Sequence, residues 1–241
     1  MFSRMALSLG PRRLAASALS IVVIGAAMAA VGAGAIALNT RSAAGAGGGG
    51  CFATGTPVCA FKDRVASAGF GSVSSDGCIV TEAFVDAFEG LASPGHISAT
   101  NAFVGVARFN ACTNTLIESA SNFDPATGNP VFNGAIQFGP RLDTASVSGS
   151  APMFDDLTGV QVFTSTVNLT WRGFGPTTTF ISGSHDRMPG LLVNLHSIGT
   201  SRQALASGVV TDETAANLAT PPTLEADLEN DTSGIVEVSH S

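Results

Sequence analysis

The 241-residue chain has no tyrosine, one tryptophan and one lysine, and only eleven basic residues against eighteen acidic ones. The missing tyrosines remove the usual amphipathic platforms of a sugar-binding surface, which pair an apolar ring with a polar tip. So few bases exclude a basic patch able to release counterions from nucleic acid or an anionic membrane. Motifs are missing too. There is no G-x-S-x-G elbow for an acyl-transfer nucleophile and no C-x-x-C pair for a zinc site.

What is present first is an export segment. Arg4, Arg12 and Arg13 precede an apolar stretch over 14–38, and the small residues Ala44-Gly45-Ala46 follow. These are a charged n-region, an apolar h-region and a cleavage site. Two outcomes are open: removal of 1–46 as a signal peptide, or its retention as an N-terminal membrane anchor. Ala and Gly supply most of 26–37, whereas a stable span wants roughly 20 strongly apolar residues, so the balance favours cleavage. Arg12-Arg13 lacks the flanking residues of a twin-arginine signal. Cys51 follows four glycines where lipid attachment needs a leucine and an adjoining apolar run. The expected location is secreted or cell-surface, with membrane contact only through an uncleaved N-terminal segment.

Without 1–46, about 195 residues remain, enough for one sizeable domain. Its bases are Lys62, Arg64, Arg108, Arg141, Arg172, Arg187 and Arg202, seven against eighteen acids, so its net charge is −11. All four cysteines, Cys51, Cys59, Cys78 and Cys112, fall in its first third. An even count in an oxidising compartment predicts two disulfides with three possible connectivities. Cys51 with Cys59 and Cys78 with Cys112 is the expected one, the second tying two early strands together.

Composition divides the chain into a signal peptide or anchor over 1–46, a Gly-rich linker with the first cysteines over 47–60, an all-β domain over 61–211 and an acidic tail over 212–241. Within the domain, short runs rich in Val, Ile, Phe, Thr and Ser are cut by turn chemistry at 74–77, 93–95, 110–114, 124–130, 155–159 and 187–190. That punctuation predicts an antiparallel meander of about ten strands forming a β-sandwich or flattened barrel, preceded by an N-terminal export helix. Alternation is clearest over 160–171, with Val167, Leu169 and Trp171 on one face and Thr164, Thr166, Asn168 and Thr170 on the other. Runs such as 65–73 and 144–151 carry Ala, Ser and Gly on both faces, which suits close backbone approach or strong curvature. The tail holds seven acids and no base. Alternation at 224–228 and 235–238 predicts a last hairpin around 230–234, with a solvated acidic extension as the other reading.

For chemistry, His185 and His196 flank the turn at 187–190. A two-residue loop at Pro189-Gly190 sets Gly183 opposite His196, so His185 lies diagonal to it on the same face, about 7 Å away between backbones. Two imidazoles so placed can share a metal or a water. No third ligand is identifiable, and polar residues near a loop are the plainer reading. Ser184-His185-Asp186 is no triad, because adjacent strand residues alternate sides. Glu82 and Asp86 share a strand face with Phe84 and Phe88, and exposed acids explain them better than a glycosidase pair. Asp155-Asp156 and Asp124 with Asn129 fit turn chemistry better than calcium-loop spacing. The leading expectation is an exported, non-catalytic β-domain, a secreted or cell-surface binding or structural protein with an extracellular ligand or protein partner, using no cofactor. The competing expectation is an extracellular enzyme, a metal-assisted hydrolase with its site around His185 and His196. A binding surface lacking tyrosine would draw on Phe103, Phe109, Phe174 or Trp171.

Overall fold

The computed structural model describes residues 58–93, 97–188 and 191–239. The export helix expected over 1–46, most of the linker and Cys51 lie outside the described residues. The chain is all-β. Four long or medium strands come first, β1 (Val58–Val73), β2 (Ile79–Ser93), β3 (Ile97–Asn110) and β4 (Thr115–Ser121). A small hairpin of β5 (Phe123–Asp124) and β6 (Asn129–Pro130) follows, then β7 (Asn133–Phe138) and a 3-10 turn at Pro140–Leu142. The remaining strands are β8 (Thr144–Asp155), β9 (Gln161–Gly173), β10 (Thr178–Met188), β11 (Leu191–Val210) and β12 (Thr223–Ser239).

Neighbours pair antiparallel, and the pairing returns on itself. β12 pairs with β1, and β9 pairs with both β8 and β11, so β1, β2, β3, β4, β8, β9, β11 and β12 form a closed ring. The architecture is therefore a closed barrel of eight strands, with β7 added beside β8 and β10 beside the first half of β11. The thinnest seam is β4 with β8, where only Ala120 with Asp155 and Ser121 with Phe154 are paired. Closure removes the edges that an open sheet would expose.

Side-chain size decides how the interior fills. The β1–β3 wall turns inward with small residues, Ala66, Ala68, Ala83, Val85, Ala87 and Val104, all buried. Bulk comes from the facing wall, where Met153, Val167, Leu169 and Trp171 are fully or almost fully buried. Trp171 reaches across to β1, its indole Nε1 donating to the Ser67 carbonyl oxygen at 2.9 Å. The interior is packed with the chain's own side chains, small against large. The inward face of β2 also accounts for the Phe and acid mixture noted on its other face. Thr81, Ala83, Val85 and Ala87 point into a crowded barrel, so Phe84 and Phe88 stand outside, where Phe88 packs on Val65.

One mouth of the barrel is plugged by the 3-10 turn, whose Leu142 is buried in the core. Arg64 donates to the Glu89 carboxylate and to the Gly139 carbonyl, and its guanidinium sits 5.2 Å from the centre of the Phe138 ring. Arg202 pairs with Asp143 on the far side of the plug. At the other end, Leu218 and Ala219 from the β11–β12 connection are buried in the same core.

Residues 223–239 form one strand, not the expected hairpin. The alternation seen twice in the tail is genuine, but the two stretches are offset by a bulge. Register slips at Thr232 and Ser233 against both neighbours, with Asp231 opposite Asp63 and Gly199, and Gly234 opposite Phe61 and Ser197. The acidic segment is a wall of the barrel, burying Ala226 and Leu228.

Beyond the plugged mouth, β10, β11, β12 and β1 continue as a sheet on which the barrel's interior face is no longer the buried one. In the barrel β1 is buried on both faces over 65–68, whereas past Arg64 only the face of Phe61 and Asp63 is buried, and Ala60 and Lys62 on the other are exposed. On β11, Ala204 and Ala206 are buried in the barrel, Ser197 and Gly199 beyond it, with His196 and Ile198 exposed.

Candidate functional sites

The Cys78–Cys112 disulfide is present, with a Cα–Cα separation of 5.1 Å. It joins the start of β2 to the turn after β3, at the end of the ladder where Ile79 pairs with Asn110. Closing a loop of this length stabilises by about 3 to 4 kcal/mol in the chain-entropy treatment. Cys51, the expected partner of Cys59, lies outside the described residues.

The histidines occupy the register expected of them. Gly183 pairs with His196 and His185 with Asn194, so His185 and His196 are diagonal on one face of the β10–β11 hairpin. His196 is exposed. β12 adds a residue that the sequence did not reveal: Asn194 also pairs with Glu237, which places a carboxylate residue on the same face, diagonal to His196. The bulge at Thr232 sets that register, and turn chemistry and alternation do not report a bulge. Among the described residues no three His, Cys, Asp or Glu side chains gather as a metal site.

The face carrying His196 is apolar around it. Ile181 pairs with Ile198, and His196 with Ile235, which pairs in turn with Ala60. Ile181 is 72% exposed, Val58 54%, Ile235 43% and Ile198 41%. Four large aliphatic side chains thus share one open sheet face, which is the outward continuation of the barrel's interior face.

The other acidic candidates are satisfied within the fold. Asp155 accepts hydrogen bonds from the Thr158 hydroxyl and from the backbone N–H groups of Thr158 and Leu157, which hold its carboxyl below the ordinary carboxylate range. Asp156 accepts from Ser119 and Ser121, and Asp124 from Ala126 and Thr127. These are turn and strand-end carboxylates. Asp86 accepts from the Ser67 hydroxyl across the β1–β2 ladder. Glu82 is half-buried, and burial with the nearby Glu225 charge raises its pKa. Among the aromatics weighed for a binding surface, Trp171 is a core residue. Phe174 is 40% exposed, while Phe103 and Phe109 are half-buried.

One site escaped the sequence altogether. Asp63 and Asp231 face each other across β1 and β12 and are both buried, and no group outside the pair donates to their four carboxylate oxygens. Burial, then the hydrogen bond and charge of Asp231, then the charge of Glu229 push the Asp63 pKa up to about 9. In the sequence Asp63 sits between Lys62 and Arg64 and reads as part of an ordinary charged run, while Asp231 reads as a turn residue.

The chain matches no family model, no curated protein and no solved structure.

Proposed function

We propose that this protein is an exported, non-catalytic β-barrel domain that binds a protein or other ligand outside the cytoplasm, at the cell surface or in secreted form. The observation that carries the reading is the open face with Ile181, Ile198, Ile235 and Val58 beside a barrel interior filled by Trp171, Met153 and Leu169. A contiguous exposed apolar patch with a polar group at its margin, here Glu237, is characteristic of an interaction surface. The Cys78–Cys112 disulfide supports an oxidising compartment, in line with the positively charged and apolar N-terminal segment.

The test uses the purified chain from Gly47 onward and envelopes of the cells that export it. The wild type is expected to sediment with the envelopes. I181D/I198D is expected to lose about tenfold or more of that retention, a change of about 1.4 kcal/mol in binding, while its thermal unfolding stays close to wild type. Equal retention of the two proteins would overturn the reading.

A second reading is the metal-assisted extracellular hydrolase. It is favoured by one observation, the arrival of Glu237 on the face of His185 and His196. Retention that survives in H185A/H196A supports the binding reading. A stoichiometric transition metal in the wild type, lost in that variant, supports the hydrolase.

A further inference from the structure

The barrel closes on itself, but the sheet that continues past its plugged mouth ends at β10, which pairs with β11 and with no other described strand. Thr178, Thr179, Ile181, Ser182 and Gly183 are exposed, so among the described residues this half of the strand is open on both faces as well as along its outer edge. An unpaired edge offers a row of backbone N–H and C=O groups to any other strand, and soluble proteins blunt such edges with proline, lysine, a bulge or brevity. β10 uses none of these. It runs for 11 residues, its register with β11 has no slip from Thr178 to Met188, and it holds neither proline nor lysine. The bulges of this sheet lie instead in the β11–β12 and β1–β12 ladders. From Thr178 to Ser184 the strand carries no charge, and Asp186 and Arg187 come only near its end.

We propose that β10 pairs antiparallel with β10 of a second copy of this chain, making a two-fold dimer in which one sheet runs through both molecules. An antiparallel pair of identical strands is related by a two-fold axis, so each edge supplies the donors that the other accepts. An axis at Ile181, the middle of the uncharged stretch, sets Thr178 against Ser184 of the other copy and brings the two Ile181 side chains together. Asp186 and Arg187 then fall past the end of the opposing strand, so the pairing opposes no like charges although the exported chain has a net charge of −11. The uncharged stretch is thus its own match, a symmetry that an unrelated partner would not require. The axis stands perpendicular to the sheet, so the open faces of the two copies lie on the same side. Because Ile181 pairs with Ile198, four isoleucines form one row across the junction. The two apolar faces become one surface of twice the width, able to hold a ligand at two points. The pairing uses the edge of the sheet and does not depend on what that surface binds.

Analytical ultracentrifugation of the chain as exported tests the proposal. At about 10 to 100 µM, a range suited to an interface of small area, the wild type is expected to sediment with twice the chain mass and to dissociate on dilution. Neighbouring strand residues point their N–H groups to opposite edges, so of S182P and G183P one removes an outward N–H and the other a bond to β11. The variant whose Tm stays near wild type marks the outward position, and it is expected to be monomeric throughout the range. I235D, two strands in from the edge, is expected to remain dimeric while losing envelope retention, which separates failure of the pairing from failure of the binding reading. Should neither proline variant fold, hydrogen exchange of the wild type carries the comparison: amides in 178–184 are expected to gain about tenfold or more protection in the concentrated sample. A wild type that is monomeric throughout overturns the proposal and leaves the edge to an extended segment of another protein. A dimer that persists in the folded proline variant, or amides in 178–184 whose exchange ignores concentration, overturns it as well, because the contact then lies elsewhere.

Discussion

Replacing Trp171 by Ala is expected to cost about 4 kcal/mol or more of folding stability, a large share of the 5 to 15 kcal/mol that a domain typically has. The side chain is fully buried and fills the space left by the alanines on the β1–β3 wall. A large-to-small change in such a place loses transfer free energy and leaves a cavity, together about 3 to 5 kcal/mol. The hydrogen bond from the indole Nε1 to the Ser67 carbonyl inside the core would be lost as well. Losing that hydrogen bond adds about 0.5 to 1.5 kcal/mol. Trp171→Phe separates the two contributions, since it keeps most of the volume and removes only the donor; its cost should be no more than half that of the alanine variant. Urea unfolding of the three proteins measures both. A loss below about 1 kcal/mol for Trp171→Ala would mean that the barrel interior is not filled as described.

Folding stability is expected to fall as pH rises from about 4 to about 9, and Asp63→Asn is expected to remove that slope. The folded Asp63 pKa is raised to about 9 from an ordinary 3.8, by burial first and then by Asp231 and Glu229. A folded-state pKa above the unfolded one means that the folded chain binds the proton more tightly. The stabilisation is therefore complete below the unfolded pKa and is lost progressively as pH climbs through the folded one. The change across this window is on the order of several kcal/mol. Other carboxylates titrate in the acid part of the window, so the informative quantity is the wild-type curve minus the Asp63→Asn curve. At pH 8 the variant should be the more stable of the two, because its amide donates to the Asp231 carboxylate without first taking up a proton. Parallel curves for the two proteins would show that Asp63 titrates as an exposed acid does.

What could be read in the sequence was what depends on neighbouring residues. The turn at 74–77 carries its own chemistry, with the Ser74 hydroxyl donating to Asp76 and Gly77 at a positive φ of 76°. The period-2 pattern of β9 gave its buried face because Val167, Leu169 and Trp171 are large and their neighbours are polar. A two-residue loop after Met188 was enough to set Gly183 opposite His196. Barrel or sandwich could not be decided in the same way, since closure rests on β9 choosing both β8 and β11, and on two residue pairs between β4 and β8. The bulge at Thr232 has no local signature. It turned an expected hairpin into one strand, brought Glu237 beside the histidines and aligned Asp231 with Asp63. Burial of Asp63 was invisible for a related reason. β1 is buried on both faces over 65–68, whereas past Arg64, where a plug from a distant part of the chain closes the barrel, only the face of Phe61 and Asp63 is buried.

The central claim is that this is an exported barrel whose interior is occupied by its own side chains and whose outer face does the binding. Native mass spectrometry of the protein recovered from the cells that export it tests this most directly. The predicted result is a chain beginning near Gly47, lacking the hydrogens of the Cys78–Cys112 disulfide and carrying no organic molecule. A small organic molecule retained one per chain, or free thiols at Cys78 and Cys112, would contradict it.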